Sequence, residues 1–185
     1  GDFREPSLQI CDINGGTSCK VTYLSHKIYK GKPEIEGIPS TFADENEATT
    51  LEIECHDKYI DLNVTLIYTV FENLDVITRS VRVRNDGKDT VHLKRVLSAC
   101  IEFDNMDYEM ITLHGTWARE RHPQRVPLHY GKQTIDSARG SDGHQFNPFV
   151  ALCTPETTEK VGEVYGFNLV YSGSFFASAE VSQHA

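Results

Sequence analysis

The feature that most constrains this chain is a two-residue period. Leu62, Val64, Leu66, Tyr68 and Val70 alternate with Asn63, Thr65, Ile67 and Thr69. Successive side chains of a strand point to opposite faces, so this run predicts a strand with one strongly apolar face. Ile77, Arg79, Val81 and Val83 then alternate with Thr78, Ser80, Arg82 and Arg84. Asn85-Asp86-Gly87-Lys88 reads as a tight turn, because Asn, Asp and Gly tolerate positive φ. Beyond it Val91, Leu93, Leu97, Ala99, Ile101 and Phe103 share one parity, and the spacing predicts a long hairpin over 76–103. Further strands are predicted at 20–29, 50–55, 108–114, 148–153, 163–171 and 174–182, with Gly and Pro between them. A helical period persists nowhere beyond about two turns. Many strands joined by short turns predict an all-β fold, an antiparallel β-sandwich.

One stretch lacks the alternation. Residues 115–147 hold Trp117, four arginines (119, 121, 125, 139), three histidines (122, 129, 144) and the prolines Pro123 and Pro127. The reading here is a long irregular excursion, and connectors of that length are commonly functional or touch another unit.

Charge and cysteine usage exclude several classes. Acidic residues number 27 and basic residues 18, a formal charge of −9. A nucleic-acid partner is therefore not expected, since such proteins present a basic surplus or stripe. No run of apolar residues is long enough for a spanning helix, so no membrane partner is expected. The first residues, Gly1-Asp2-Phe3-Arg4-Glu5-Pro6, do not read as a secretory signal. The five cysteines (11, 19, 55, 100, 153) are odd in number and widely spaced. They predict reduced thiols, mostly buried, in a reducing cytoplasmic compartment. The sequon Asn63-Val64-Thr65 falls inside a strand and is read as chance.

The chemistry-bearing motifs are few. Nucleophile elbow, phosphate-binding loop and dinucleotide fingerprint are all missing from the sequence. Neither CxxC nor HExxH spacing occurs, so no metal and no cofactor is expected. The acids cannot be paired across a cleft from sequence, and most read as turn or surface residues. Trp117, the one tryptophan, sits in His114-Gly115-Thr116-Trp117-Ala118-Arg119-Glu120-Arg121-His122. An indole has a flat apolar face and one N–H donor, which suits stacking on the C–H face of a sugar. The alternative, which composition alone favours, is that the ring fills the core beneath its own loop.

Several ordered stretches resemble one family. They are His26-Lys27-Ile28-Tyr29-Lys30-Gly31-Lys32-Pro33, Thr50-Leu51-Glu52-Ile53, Tyr68-Thr69-Val70-Phe71-Glu72 and Val76-Ile77-Thr78-Arg79-Ser80. The series continues with Leu113-His114-Gly115-Thr116-Trp117-Ala118-Arg119-Glu120-Arg121 and His144-Gln145-Phe146-Asn147-Pro148-Phe149. It ends at Gly162-Glu163-Val164-Tyr165-Gly166-Phe167 and Leu169-Val170-Tyr171-Ser172-Gly173. In this order they resemble the N-terminal domain of family-36 α-galactosidases, from about Asp2 to Gln183.

The resemblance implies a large antiparallel supersandwich over residues 1–185, here read as lacking strands at its start. It implies a catalytic (β/α)8 barrel outside this chain that carries two aspartates, nucleophile and acid/base, of a retaining hydrolase. The implied substrates are terminal α-galactosides of the melibiose and raffinose type, and the implied partners are that barrel and further copies in a homo-oligomer. It assigns substrate binding to Trp117, Arg119, His144 and Asn147, with no catalytic residue in the chain itself. Phe146 and Gly143 depart from the family pattern beside His144 and Asn147, which weakens a polar role there. A carbohydrate-binding module and a purely structural sandwich are the competing functions.

Overall fold

The computed structural model describes residues 5–104 and 107–182. The described residues contain strands and turns and no helix, so none is long and apolar enough to cross a membrane. The outermost residues of the family resemblance, Asp2 and Gln183, lie outside the described residues. The antiparallel all-β expectation holds, and the chain divides into two compact units, 1–36 with 41–101 and 37–40 with 102–185.

The first unit contains β1 (Leu8–Asp12), β2 (Thr22–Lys30), β3 (Ala48–Asp57), β4 (Leu62–Phe71), β5 (Ile77–Asn85) and β6 (Val91–Val96). A four-stranded antiparallel sheet runs β2-β3-β4-β5, and β1 pairs with β6 in a second sheet of two strands. Alternation along β4 turns Leu62 and Val64 towards Ile10 of β1 and forms the buried centre of this unit. Cys55, Val81, Val83 and Val91 pack around it. Each such aliphatic side chain contributes roughly 1.5–3 kcal/mol on burial. On the other face Thr50 and Thr69 are buried but satisfied: their hydroxyls lie 2.8 Å apart and Thr50 Oγ1 donates to Gly31 O at 2.6 Å.

Asp57 closes the β3–β4 turn. It is 2% exposed. Burial alone would raise its pKa, but the N–H groups of Lys20, Tyr59 and Ile60 and the Cys19 thiol donate to the carboxylate and hold it below the usual aspartate range. Cys19 is affected in the opposite sense: burial, then the adjacent Asp57 charge, push its thiol up to about 11. A carboxyl whose folded pKa lies below its unfolded value adds stability at neutral pH that disappears as pH falls through the folded value. Asp57→Asn is therefore expected to lose about 2 kcal/mol at pH 7. In thermal melts, the gap between wild type and variant should shrink below about pH 4. A gap that stays constant down to pH 2 would refute this account.

The second unit contains β7 (Glu109–Thr116), β8 (Arg119–Pro127), β9 (Gly131–Ser137), β10 (Phe146–Cys153), β11 (Val164–Asn168) and β12 (Phe175–Val181). Its four-stranded sheet runs β11-β10-β7-β8, and β9 pairs with β12. Met110 of β7 and Val150 and Leu152 of β10 meet Ile135 of β9 and Phe175 of β12 in one buried cluster with Tyr108. Each unit is thus a four-stranded sheet faced by a two-stranded one, the sandwich arrangement at small scale.

Four sequence expectations are corrected. The 76–103 hairpin does not form, because β5 pairs with β4 while β6 pairs with β1. The Asn85-Asp86-Gly87 turn instead ties back to the β3–β4 connection, where Asp86 N–H donates to Asp61 O at 3.0 Å. Residues 97–103 are not a strand, and Phe103 joins the aromatic group Tyr108, Tyr165 and Phe167 in the second unit. The 115–147 excursion holds two strands, β8 and β9. Finally, of the five free thiols only Cys153 is fully buried; Cys11, Cys19 and Cys55 are half-buried and Cys100 is exposed. Asn63 of the sequon is held inside β4, its Nδ2 donating to Asp86 at 2.7 Å.

Candidate functional site

The site is built on the connection between β7 and β8. Thr116 pairs with Arg119, which leaves Trp117 and Ala118 at the tip of a very short turn. Ala118 has φ 60, in the left-handed region that costs a non-glycine residue about 1 kcal/mol. Glu120 Oε1 accepts the Ala118 N–H at 2.9 Å and steadies that conformation. His114 pairs with His122, so a single residue, Gly115, faces both Glu120 and Arg121. This is a β-bulge, with Arg121 at φ 58. Gly115 is required there: a Cβ would stand 2.1 Å from Arg119 O and 2.8 Å from Glu120 Cα.

The consequence is a displayed indole. Trp117 is 83% exposed. That excludes the reading in which the ring fills the core beneath its loop, and the connector that carries it is a tight bulged hairpin rather than an irregular excursion. Two of the three non-glycine residues with positive φ among the described residues, Ala118 and Arg121, lie in this hairpin.

The second predicted motif comes to the same place. Phe146, at the start of β10, pairs with His114, and Gly115 N–H donates to Gln145 O at 3.2 Å. His144 is exposed, and Asn147 is half-buried. Asn147 Oδ1 and Asp142 Oδ1 are shielded from solvent with no partner among the described residues. An acceptor left so is expensive, about 1–3 kcal/mol each. Arg139 Nη1 reaches Gln145 Oε1 at 3.4 Å beside a cavity of about 140 Å³ that Asp136, Ser137, Gly143 and Phe146 also line. Arg119 is exposed, fixed at the hairpin by its pairing with Thr116.

Of the predicted residues, the sheet therefore brings the Trp117–Arg119 hairpin and the His144–Asn147 segment to one end of β7. Gly115 and Gln145 complete the arrangement and were missed. Gly115 had a signal, a glycine directly before the tryptophan turn. Gln145 acts through its carbonyl, which no side-chain motif reports. A larger concavity, about 470 Å³, lies at the opposite end of the sheet between Glu109, Pro127 and Thr154. There Arg125 is spent on structure, paired with Glu109 and donating to Thr154 O, Pro155 O and Thr157 O. The Trp117 end presents one flat apolar face and, two residues on, the exposed guanidinium of Arg119.

Comparison with known proteins gives the class. Alpha-galactosidase AgaA of Geobacillus stearothermophilus is 48% identical over 183 residues, 98% of this chain and 25% of that protein. A probable alpha-galactosidase C of Aspergillus terreus is 40% identical over 97% of this chain and 24% of its own length. A solved structure of an AgaA variant in complex with raffinose superimposes with TM-score 0.96 at 48% identity, covering 98% of this chain and 25% of that one. The alpha-galactosidase structure from Lactobacillus brevis gives TM-score 0.96 at 40% identity, covering 100% of this chain and 25% of that one. The chain spans about a quarter of the length of the curated relatives it matches. Residues 1–185 match the family model described as glycosyl hydrolase family 36 N-terminal domain, and the chain belongs to that family.

Proposed function

We propose that residues 1–185 are the N-terminal β-domain of a retaining α-galactosidase that hydrolyses terminal α-D-galactosyl residues of oligosaccharides, and that the hairpin tip forms one wall of its sugar pocket. The observation that carries this reading is the solvent-facing indole of Trp117, held by a strained turn that packing alone does not require. The second motif, His144–Asn147, is brought to the same end of β7 by the pairing of Phe146 with His114 and by the Gly115 N–H bond to Gln145 O. The raffinose complex of the 48% identical relative supports the choice of substrate class. Arg119 and His144 supply donors at the rim. The reacting carboxylates belong to a (β/α)8 barrel elsewhere in the longer polypeptide, and the working enzyme is a homo-oligomer. Free thiols at all five cysteines suit a reducing cytoplasm.

The division of labour gives a direct test. The purified 185-residue chain is expected to show no turnover of p-nitrophenyl α-galactoside, while the longer polypeptide that contains it turns the substrate over. Hydrolysis by the short chain, abolished by a variant within it, would place the reacting groups here and overturn the proposal.

A further inference from the structure

The hairpin that carries Trp117 also sets two imidazoles face to face. His114 of β7 and His122 of β8 are directly opposed in the antiparallel register, and their ring centroids lie 6.5 Å apart with planes tilted by 30°. Directly opposed residues share one face of a sheet. His122 is exposed and His114 half-buried, so both rings are within reach of solvent ions. Seven residues lie between them along the chain, a spacing that matches no metal motif, and only the strand register joins them.

We propose that His114 and His122 form a two-imidazole site for a divalent transition ion of the nickel and zinc kind, distinct in chemistry from the sugar-facing indole. Imidazole nitrogen is a preferred donor for these ions. Metal–nitrogen bonds of about 2.0–2.1 Å place two coordinated imidazole centroids roughly 4.5–6.3 Å apart, depending on the angle at the metal. The observed separation lies just beyond that range, and the soft terminal torsion of histidine closes the remainder without moving backbone. Because the paired strands already hold the rings together, little conformational freedom is lost on binding. The chain's net charge of −9 draws cations towards it, whereas Arg119 and Arg121 in the same hairpin oppose them locally. Among the described residues no group of three or more potential ligands assembles, so water completes the coordination. Two protein donors then set a micromolar rather than a tighter affinity.

The ion would tie edge strand β8 to β7 immediately behind the turn. Nickel is the suitable probe, since copper would oxidise the exposed Cys100 thiol. Equilibrium dialysis of Ni²⁺ against the 185-residue chain should reveal one site of micromolar affinity. Trp117 emission should change over the same concentration range. His114→Gln and His122→Gln should each weaken binding at least tenfold and abolish the emission change, while His129→Gln should leave both intact. Circular dichroism melts establish that the variants fold; His122 is exposed on an edge strand, so its variant keeps the test valid even if His114→Gln does not fold. Nickel affinity unchanged in a folded His122→Gln chain, or no saturable site below millimolar nickel, would overturn the proposal.

Discussion

If the proposed α-galactosidase activity holds for the longer polypeptide, Trp117→Ala made in it is expected to lower kcat/KM for an α-galactoside by roughly 10- to 100-fold, equivalent to about 1.4–2.7 kcal/mol of lost interaction. The melting temperature should hardly move. Truncating a well-packed tryptophan costs about 3–5 kcal/mol, but that figure belongs to buried rings. This one is 83% exposed, so its removal leaves no cavity in the second unit and should cost within about 0.5 kcal/mol. Trp117→Phe keeps an aromatic face and should recover part of the rate. If the indole contacts both the bound sugar and the transition state, KM rises with kcat little changed; if it acts only as the ring distorts, kcat falls instead. Unaltered kinetics together with an unaltered melt would remove Trp117 from the pocket. A lower melting temperature with unaltered kinetics would make it a contact between the hairpin and other parts of the enzyme.

How far the sequence disclosed this arrangement depended on which faces are buried. β3 and β4 were legible because one side of their sheet lies on a core, so Leu62 and Val64 alternate with half-buried Asn63 and Thr65. β8 was invisible for the opposite reason. It is the edge of its sheet, and of its nine residues, Arg119–Pro127, only Val126 is partly buried. With both faces in solvent there is no apolar period to read, and Pro123 and Pro127 argue against a strand unless it is an edge. The 76–103 hairpin failed for a different reason. Turn chemistry at Asn85-Asp86-Gly87 marks a change of direction, whereas pairing is decided by which strand can cover Ile10 and Val91, and that information lies about eighty residues apart in the chain. Trp117, Arg119, His144 and Asn147 were selected by family resemblance. The register of β7 with β8 and β10 explains why two motifs so far apart in sequence lie side by side.

The same register makes Gly115 the most sensitive point of the hairpin. Gly115→Ala is expected to destabilise the second unit by on the order of 3 kcal/mol, lowering its melting temperature by roughly 10 °C or more. The new methyl would lie 2.1 Å from Arg119 O and 2.8 Å from Glu120 Cα, both backbone atoms that no rotamer change can move aside. Relief requires opening the bulge, which breaks the Thr116–Arg119 pairing and the Gly115 N–H bond to Gln145 O. A glycine 28 positions further on serves as control. At Gly143 an added Cβ meets only the flexible tip of Arg139, 3.5 Å away, so Gly143→Ala should stay within about 0.5 kcal/mol of wild type. Trp117 reports on the outcome directly, because a hairpin that opens rather than unfolds should alter its emission and sugar-dependent activity at temperatures where the remaining strands persist. Equal melting temperatures and equal Trp117 spectra for the two variants would mean that the close approach of Gly115 to β8 does not hold the indole in place.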